Sequence, residues 1–312
     1  MRKLRFSGVP EQIASAEPEP GPGQLLVRSE LAGVGVGLVR MIAAAAATDP
    51  GGEIAGTVVA VGPDIAPDWL GRRVAGVVFE GAYAEYALAA PALVTEIPAG
   101  VDAADALAIA RGGLVALGAL RAGRFGAGES IMITGAASGS GHLAVQLARA
   151  LGASRIVAAV SSVEKAEFVR ECGADAVVTY DEPWTEHVDV VLDGVGGELV
   201  QRGVEILAPH GRLVAYSAGR GSVDANSLLA ELKTVTGFSV GLLGRTRPDL
   251  IESYRADLWK LLAAGLIRPR HTVLPFEGID AAIDLIATRR NLGRVMIRTA
   301  RGGREVGSPG TR

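Results

Sequence analysis

The stretch 131-IMITGAASGSGHLAVQLARALGA-153 decides the fold. Its first four residues suit a buried strand, GAASGSG is a turn of small residues, and the run from His142 repeats apolar side chains at helical spacing. A strand that feeds a helix through such a turn leaves the helix's first N–H groups, and the positive end of its dipole, facing outward toward an anion. Ala136, Ser138 and Gly141 occupy the three glycine slots of a dinucleotide fingerprint, where small residues let the backbone approach a pyrophosphate.

Downstream the pattern continues as strand and helix in alternation: 155-RIVAAVS then 164-EKAEFVREC-172, AVVTY, VDVVLDG then 198-ELVQRGVEIL-207, and GRLVAYS. Such alternation predicts parallel strands joined by right-handed crossovers, a doubly wound sheet. Upstream, 18-PEPGPGQLLVRSELAG-33, 53-EIAGTVVAVG-62 and 73-RVAGVVF-79 are β-prone runs separated by turn residues. The first hundred residues are therefore expected to be mostly β. A helix near 249–264 precedes 272-TVLPFEGIDAAIDLIATRRNLGRVMIR-298, which reads as strand, helix, strand, and the tail from 301 is polar and glycine-rich, expected to be disordered.

At 312 residues with 49% apolar content, two domains are the prior. The single cysteine, Cys172, excludes a disulfide framework and fits a reducing, cytoplasmic setting. A formal charge of −3 provides no global positive field for nucleic acid or an anionic membrane. The run 31-LAGVGVGLVRMIAAAAA-47 is too short and too broken by Arg40 to span a bilayer.

The second strand of the alternating region discriminates between cofactors. An NAD site wants a carboxylate at that strand's end for the ribose 2′-hydroxyl. Here Ser161 and Ser162 stand there, with Lys165 just beyond, and two hydroxyls with an ammonium suit a 2′-phosphate. NADPH is the cofactor expected.

Read as T-G-x-x-x-G-x-G, the glycine turn is similar to the opening of a short-chain dehydrogenase. That chemistry needs Y-x-x-x-K, because the lysine lowers the tyrosine's pKa. Four residues after Tyr180, Tyr216 and Tyr254 stand Trp184, Arg220 and Leu258, so the pair is missing. From about residue 18 to 298 the chain instead resembles the zinc-independent quinone oxidoreductase and enoyl reductase branch of the medium-chain dehydrogenase/reductase superfamily. The resemblance rests on PGPGQLLVR, 53-EIAGTVVAVGPDI-65, 81-GAYAEYAL-88, the glycine turn with AVQLARALGA, 188-VDVVLDGVGGE-198, 208-APHGRLVAY-216 and 291-NLGRVMI-297, in the family's order.

The resemblance implies an α/β protein with a GroES-like β domain plus a Rossmann doubly wound parallel-sheet domain. On that basis residues 1–112 with 258–312 form the substrate domain and 113–257 the NADPH-binding domain; a homodimer is also implied. It implies pyrophosphate contacts around Ala136, Ala137, Ser138, Gly139, Ser140 and Gly141, and 2′-phosphate contacts from Ser161, Ser162, Lys165 and Tyr180. Asp193, Gly194 and Val195, with Tyr216, Ser217 and Ala218, should flank the nicotinamide, and Asn291 should reach the cofactor. The zinc-dependent branch places a cysteine in a GVCG-type segment and a histidine in GHE. Here 33-GVGVG-37 and 51-GGE-53 have glycine in each ligand's place, and zinc needs lone-pair side chains, so no metal is expected.

Without a Lewis acid, alkoxide formation is unsupported, whereas hydride delivery to a quinone or an α,β-unsaturated carbonyl asks mainly for positioning and a hydrogen bond to oxygen. The expected partner is a small, apolar or conjugated carbonyl compound. Candidate catalytic groups are Tyr83 and Tyr86, which on a strand also suit packing, and Arg111, where the family usually has an apolar residue. The family's A-G-V-N-x-x-D segment appears as 32-AGVGVGLVR-40, and G-L-T-A as 113-GLVA-116. The cofactor half is intact and the substrate half altered, which leaves a natural-product tailoring enzyme or a non-catalytic NADPH-binding protein as alternatives.

Overall fold

The computed structural model describes residues 1–45, 48–217 and 219–300. Contacts divide the chain into two compact units, Met1–Ile97 with Val273–Ile283 and Met296–Arg312, and Pro98–Thr272 with Asp284–Val295. The boundary expected at 112/113 instead falls within one continuous helical run, and the boundary expected at 257/258 falls within another helix.

The first unit opens with a hairpin, β1 (Arg2–Phe6) against β2 (Pro10–Ala14), which the local sequence pattern does not announce. There follow β3 (Leu25–Val34), α1 (Val36–Ala43), β4 (Pro50–Val61), β5 (Arg73–Glu80), β6 (Tyr86–Ala89) and β7 (Val94–Glu96). These strands pair antiparallel, β3 with β4 and β6, and β5 with β4 and β7. Glycine lets the strands close on one another: a Cβ at Gly56 would lie 2.1 Å from the Arg28 carbonyl oxygen.

The second unit begins with α2 (Ala103–Leu107), runs through a π-helical segment, Ala108–Gly113, and continues as α3 (Leu114–Ala122). Ala103–Ala122 is the one run among the described residues long and apolar enough to cross a bilayer, and 78% of its most apolar window is buried inside the protein, the placement of a core helix. Then come β8 (Ser130–Thr134), α4 (Gly141–Ala150), β9 (Arg155–Val160), α5 (Ala166–Glu171), β10 (Ala176–Thr179), β11 (Val188–Asp193), α6 (Glu198–Glu205), β12 (Leu207–Ala215), α7 (Asn226–Leu229) and β13 (Thr234–Gly237). α8 (Val240–Thr246) and α9 (Pro248–Ala263) close this run, and β14 (His271–Leu274), α10 (Ile279–Ala287) and β15 (Arg294–Arg298) straddle the division between the units. The later strands β14 and β15 extend the first unit's sheet, whose order is β14-β15-β3-β4-β5-β7 with β6 beside β3.

The six-stranded sheet has the order β10-β9-β8-β11-β12-β13, every pair parallel. Chain order thus reverses beside β8, making the crevice at the carboxyl ends of β8 and β11 the topological switch point. Both faces are buried, and the alternation of side chains shows how. Ile131, Ile133, Ile156, Val190 and Leu192 enter one core with α3, α4 and α9, while Met132, Val157 and Val191 enter the other with α6. The expected doubly wound sheet and the β-rich first unit are therefore present. Replacing Ile133, fully buried on the central strand, with alanine should cost about 2–5 kcal/mol, read as a lower midpoint in urea denaturation with an unchanged slope.

Candidate nucleotide site

The turn between β8 and α4 is built by close backbone approach. A Cβ at Gly141 would lie 2.0 Å from the Gly135 carbonyl oxygen, so only glycine lets the helix start directly against the strand's exit. Gly135 itself has φ +63°, the left-handed conformation that glycine adopts at no steric cost. The Ser138 side chain turns inward, its Oγ accepting the Gly141 N–H at 3.0 Å, while its own N–H donates to the Gly135 carbonyl. No acceptor among the described residues meets the N–H groups of Gly139 and Ser140. Those two donors stand at the amino end of a ten-residue helix, where a pyrophosphate would supply the missing acceptors. Ala136 and Ala137 are buried beneath them.

Nothing in the residue order assigns His142 a role, yet it anchors this turn. It is fully buried; Nδ1 donates to the Ser138 carbonyl at 2.8 Å, and Nε2 accepts the Arg270 N–H at 3.0 Å. Both partners fit only the neutral ring with its proton on Nδ1. Two further contacts seat the turn: Gly293 N–H donates to the Ala137 carbonyl at 2.8 Å, and a Cβ at Gly139 would lie 3.1 Å from Arg294 Cδ. Asn291 shapes that neighbouring loop, its amide donating to the Gly293 carbonyl at 3.2 Å. From the opposite side the π-helical segment leans in, since a Cβ at Gly112 would lie 2.9 Å from the Gly139 carbonyl oxygen. That places the exposed Arg111 on a π-bulge one residue from a contact with the turn.

At the end of β9, Ser161 and Ser162 are half-buried. The Lys165 ammonium donates to the Arg289 carbonyl, and burial, then the Arg289 guanidinium charge, holds its pKa below the usual lysine range. The Tyr180 hydroxyl accepts the Gly135 N–H at 3.0 Å. Burial pushes that phenol's pKa up, opposed by the Gly135 hydrogen bond and by the charge of Arg289. Two cations and a phenol therefore gather beside two serines. Arg289 was invisible to motif reading because it comes from 124 residues beyond Lys165, just past the end of α10.

At the end of β11 the Asp193 carboxylate is buried and spent on the loop. It accepts the Thr134 hydroxyl at 2.7 Å, the Gly196 N–H at 2.9 Å and the Val195 N–H at 3.4 Å, while Thr134 Oγ1 accepts the Gly194 N–H at 3.0 Å. Gly194 and Val195 are thus held by β8 and β11 together, and Asp193 acts through them. Tyr216 and Ser217 follow β12; Ser217 Oγ donates to the Val195 carbonyl at 3.3 Å and accepts the Gly219 N–H. Ala218 lies outside the described residues.

In the first unit Tyr83 is buried, its ring edge-on to Phe6 at 5.3 Å and its hydroxyl donating to the Gly33 carbonyl at 2.9 Å. That proton is committed to packing, and donation to a substrate would require breaking the bond. Tyr86 is half-buried on β6, paired with Arg28. Among the described residues no three His, Cys, Asp or Glu cluster as metal ligands would.

The buried imidazole makes the turn pH-sensitive. Burial pulls the His142 pKa down to about 4 from an ordinary 6.5. Its neutral form is favoured in the fold, so the stability is fully present above pH 6.5 and is lost as pH falls toward 4, a span of about 3 kcal/mol. Chemical denaturation across that window should show the decline, and the native-state imidazole resonance of His142 should stay at its neutral position until near pH 4.

Comparison with known proteins bears on the same region. Residues 139–263 match the family model described as zinc-binding dehydrogenase, from the glycine turn through α9. The chain is 29% identical to a mycocerosic acid synthase-like polyketide synthase of Mycolicibacterium smegmatis, over 92% of the chain but only 14% of that much longer protein. It is 27% identical to mouse prostaglandin reductase-3, over 90% of the chain and 82% of that protein. The structure of the quinone oxidoreductase from Thermus thermophilus, studied also in complex with NADPH, superposes with a TM-score of 0.80 at 28% identity, covering 96% of this chain and all of that one. On this similarity, and with a parallel six-stranded sheet entered through a glycine turn beside a separate β unit, the chain belongs to the medium-chain dehydrogenase/reductase superfamily.

Proposed function

We propose that the chain is an NADPH-dependent, metal-independent reductase of a quinone or an α,β-unsaturated carbonyl compound. The observation that carries the reading is the pocket at the end of β9. Ser161, Ser162, Lys165, Tyr180 and Arg289 gather there, beside a turn with two outward N–H donors, and the strand's last residue is followed by serine rather than a carboxylate. The pyrophosphate is assigned to Gly139 and Ser140, backed by Ala136, Ala137, Ser138 and Gly141. The 2′-phosphate is assigned to the β9 pocket, and the nicotinamide to the loop at Asp193, Gly194 and Val195 with Tyr216 and Ser217. Asn291 acts by shaping the loop whose Gly293 binds the turn.

NADPH, when bound, supplies a hydride to an electron-poor carbon. The protein's part is positioning, since hydride transfer requires the acceptor carbon in near-attack geometry, and a hydrogen bond or cation to meet negative charge on the carbonyl oxygen. Arg111 is the candidate for that charge, because a guanidinium stays protonated throughout. Tyr86 is the remaining phenol candidate for proton delivery, Tyr83 being engaged with Gly33. Gly35 and Gly52 stand where the zinc-dependent branch has its Cys and His, which supports metal-free chemistry. A buried free cysteine is consistent with a cytoplasmic setting. The match to a polyketide synthase favours a second version of the same reading, in which the reduced double bond belongs to an enoyl acyl chain.

Replacing Lys165 with alanine should raise the Kd for NADPH by roughly 10- to 100-fold, the worth of one charged hydrogen bond, and leave the Kd for NADH nearly unchanged. Equal loss for both nucleotides would remove the 2′-phosphate assignment. Mixed with NADPH and a panel of quinones, enones and enoyl thioesters, the protein should consume the reduced cofactor's near-ultraviolet absorbance with at least one class; cofactor binding without turnover across the panel would leave a non-catalytic NADPH-binding protein. A homodimer is part of the reading. Among the described residues β13 is an edge strand of the parallel sheet, the exposed Leu229, Leu232 and Leu242 flank it in sequence, and light scattering should give twice the chain mass.

A further inference from the structure

The outward N–H donors of Gly139 and Ser140 belong to peptide planes whose carbonyl ends are held by different parts of the chain. A trans peptide is planar, so whatever holds the Ser138 carbonyl aims the Gly139 N–H, and whatever backs the Gly139 carbonyl aims the Ser140 N–H. The first carbonyl is held by the buried His142, whose Nδ1 donates to it at 2.8 Å and whose Nε2 accepts the Arg270 N–H at 3.0 Å. One helical turn on, Gln146 laces the same segment to α4: its Oε1 accepts the Arg268 N–H at 2.6 Å and its Nε2 donates to the Arg268 carbonyl at 3.1 Å. The second carbonyl is backed by Gly112, on the π-helical continuation of α2, where a Cβ would come 2.9 Å from the Gly139 oxygen. A side-chain contact joins these two supports. His271 Nε2 lies 3.2 Å from Asp105 Oδ1, tying the residue after Arg270 to α2.

That contact titrates. The charges around the imidazole are the Asp105 and Asp102 carboxylates of α2 and the Arg268 and Arg270 guanidiniums of its own segment. From α4 comes the His142 ring, which is neutral in this range because its pKa lies at about 4. The hydrogen bond to Asp105 raises the His271 pKa above its ordinary 6.5, opposed by partial burial and helped by the charges of Asp105 and Asp102. The charged pair is therefore complete below pH 6.5 and is lost as pH rises through the raised value. We infer that Asp105 and His271 form a positioning clamp for the anion-binding turn, so that dinucleotide affinity follows the charge of His271. This rests on the assignment of the pyrophosphate to Gly139 and Ser140, and it adds two residues that act through Arg270 and Gly112 rather than by touching the nucleotide.

The test measures the Kd of NADPH and of adenosine 2′-monophosphate between about pH 6 and pH 9, in wild type and in Asp105→Asn. The monophosphate carries the 2′-phosphate without the pyrophosphate, so the ratio of the two constants cancels the phosphate's own titration near pH 6. In wild type the ratio should turn against NADPH by roughly three- to tenfold as pH rises through the His271 titration, the worth of one partly exposed ion pair. In Asp105→Asn, which keeps a neutral hydrogen-bonding group, the ratio should be flat and equal to the wild-type value at high pH. A flat ratio in wild type, or a slope that survives in Asp105→Asn, overturns the inference and leaves the cofactor reading intact. Failure of the wild type to bind NADPH at any pH overturns the cofactor reading itself. Should the variant not fold, the ring resonance of His271 in the wild type decides the same question in about 0.5 M salt, where long-range fields are screened within a few ångströms. Because binding and protonation are reciprocal, NADPH should raise the His271 pKa and adenosine 2′-monophosphate should leave it unchanged. A pKa indifferent to NADPH, or raised equally by both ligands, contradicts the clamp.

Discussion

The contact on which the nucleotide half depends is the approach of Gly141 to the Gly135 carbonyl, too close for any side chain at position 141. That contact sets α4 directly on the exit of β8 and points the helix's amino end outward at the sheet's switch point. Everything around it serves to hold this arrangement. Ser138 caps the helix from within, and the neutral His142 ties the turn to Arg270. The loop at Gly293 grips Ala137, and Gly112 in the π-helical segment backs Gly139. A turn fixed from four directions keeps its N–H donors in place before any ligand arrives, which is the sense in which binding energy is conserved for recognition.

Electrostatics then divide the carboxyl edge of the sheet by strand. At β9 the side chains are cationic or hydroxylic, and burial, with the Arg289 charge added, depresses the Lys165 pKa. At β11 a buried carboxylate is turned onto three donors from Thr134 and its own loop. At β12 a phenol is kept protonated.

Much of this was legible from residue order. Alternating β-branched runs and helical patterns led to the parallel sheet because both signals are local, and the serines after Val160 with Lys165 pointed to a 2′-phosphate because they lie within one turn of each other. Other features were not legible, for physical reasons. Arg289 and Arg294 reach the site through the chain's return, a long-range contact without a local signature. His142 reads as an ordinary polar residue on a helix until its two partners are seen. The hairpin β1–β2 has only weak alternation, its second strand being PEQIA. Asp193 shows what residue order leaves out: the resemblance implies that it flanks the nicotinamide, and only the fold shows its carboxylate holding Thr134 and the loop that follows. Tyr83 likewise sits in the segment expected to supply a phenol, and its burial against Phe6 gives that phenol to Gly33.

The central claim, reduction of a conjugated carbonyl by direct delivery from NADPH, is tested most directly by following the label. With NADPH deuterated at the transferring position of C4 and an enone substrate in ordinary water, the account predicts one deuterium at the product's β-carbon and none at the α-carbon. A product free of deuterium, formed while NADPH is consumed, would contradict it.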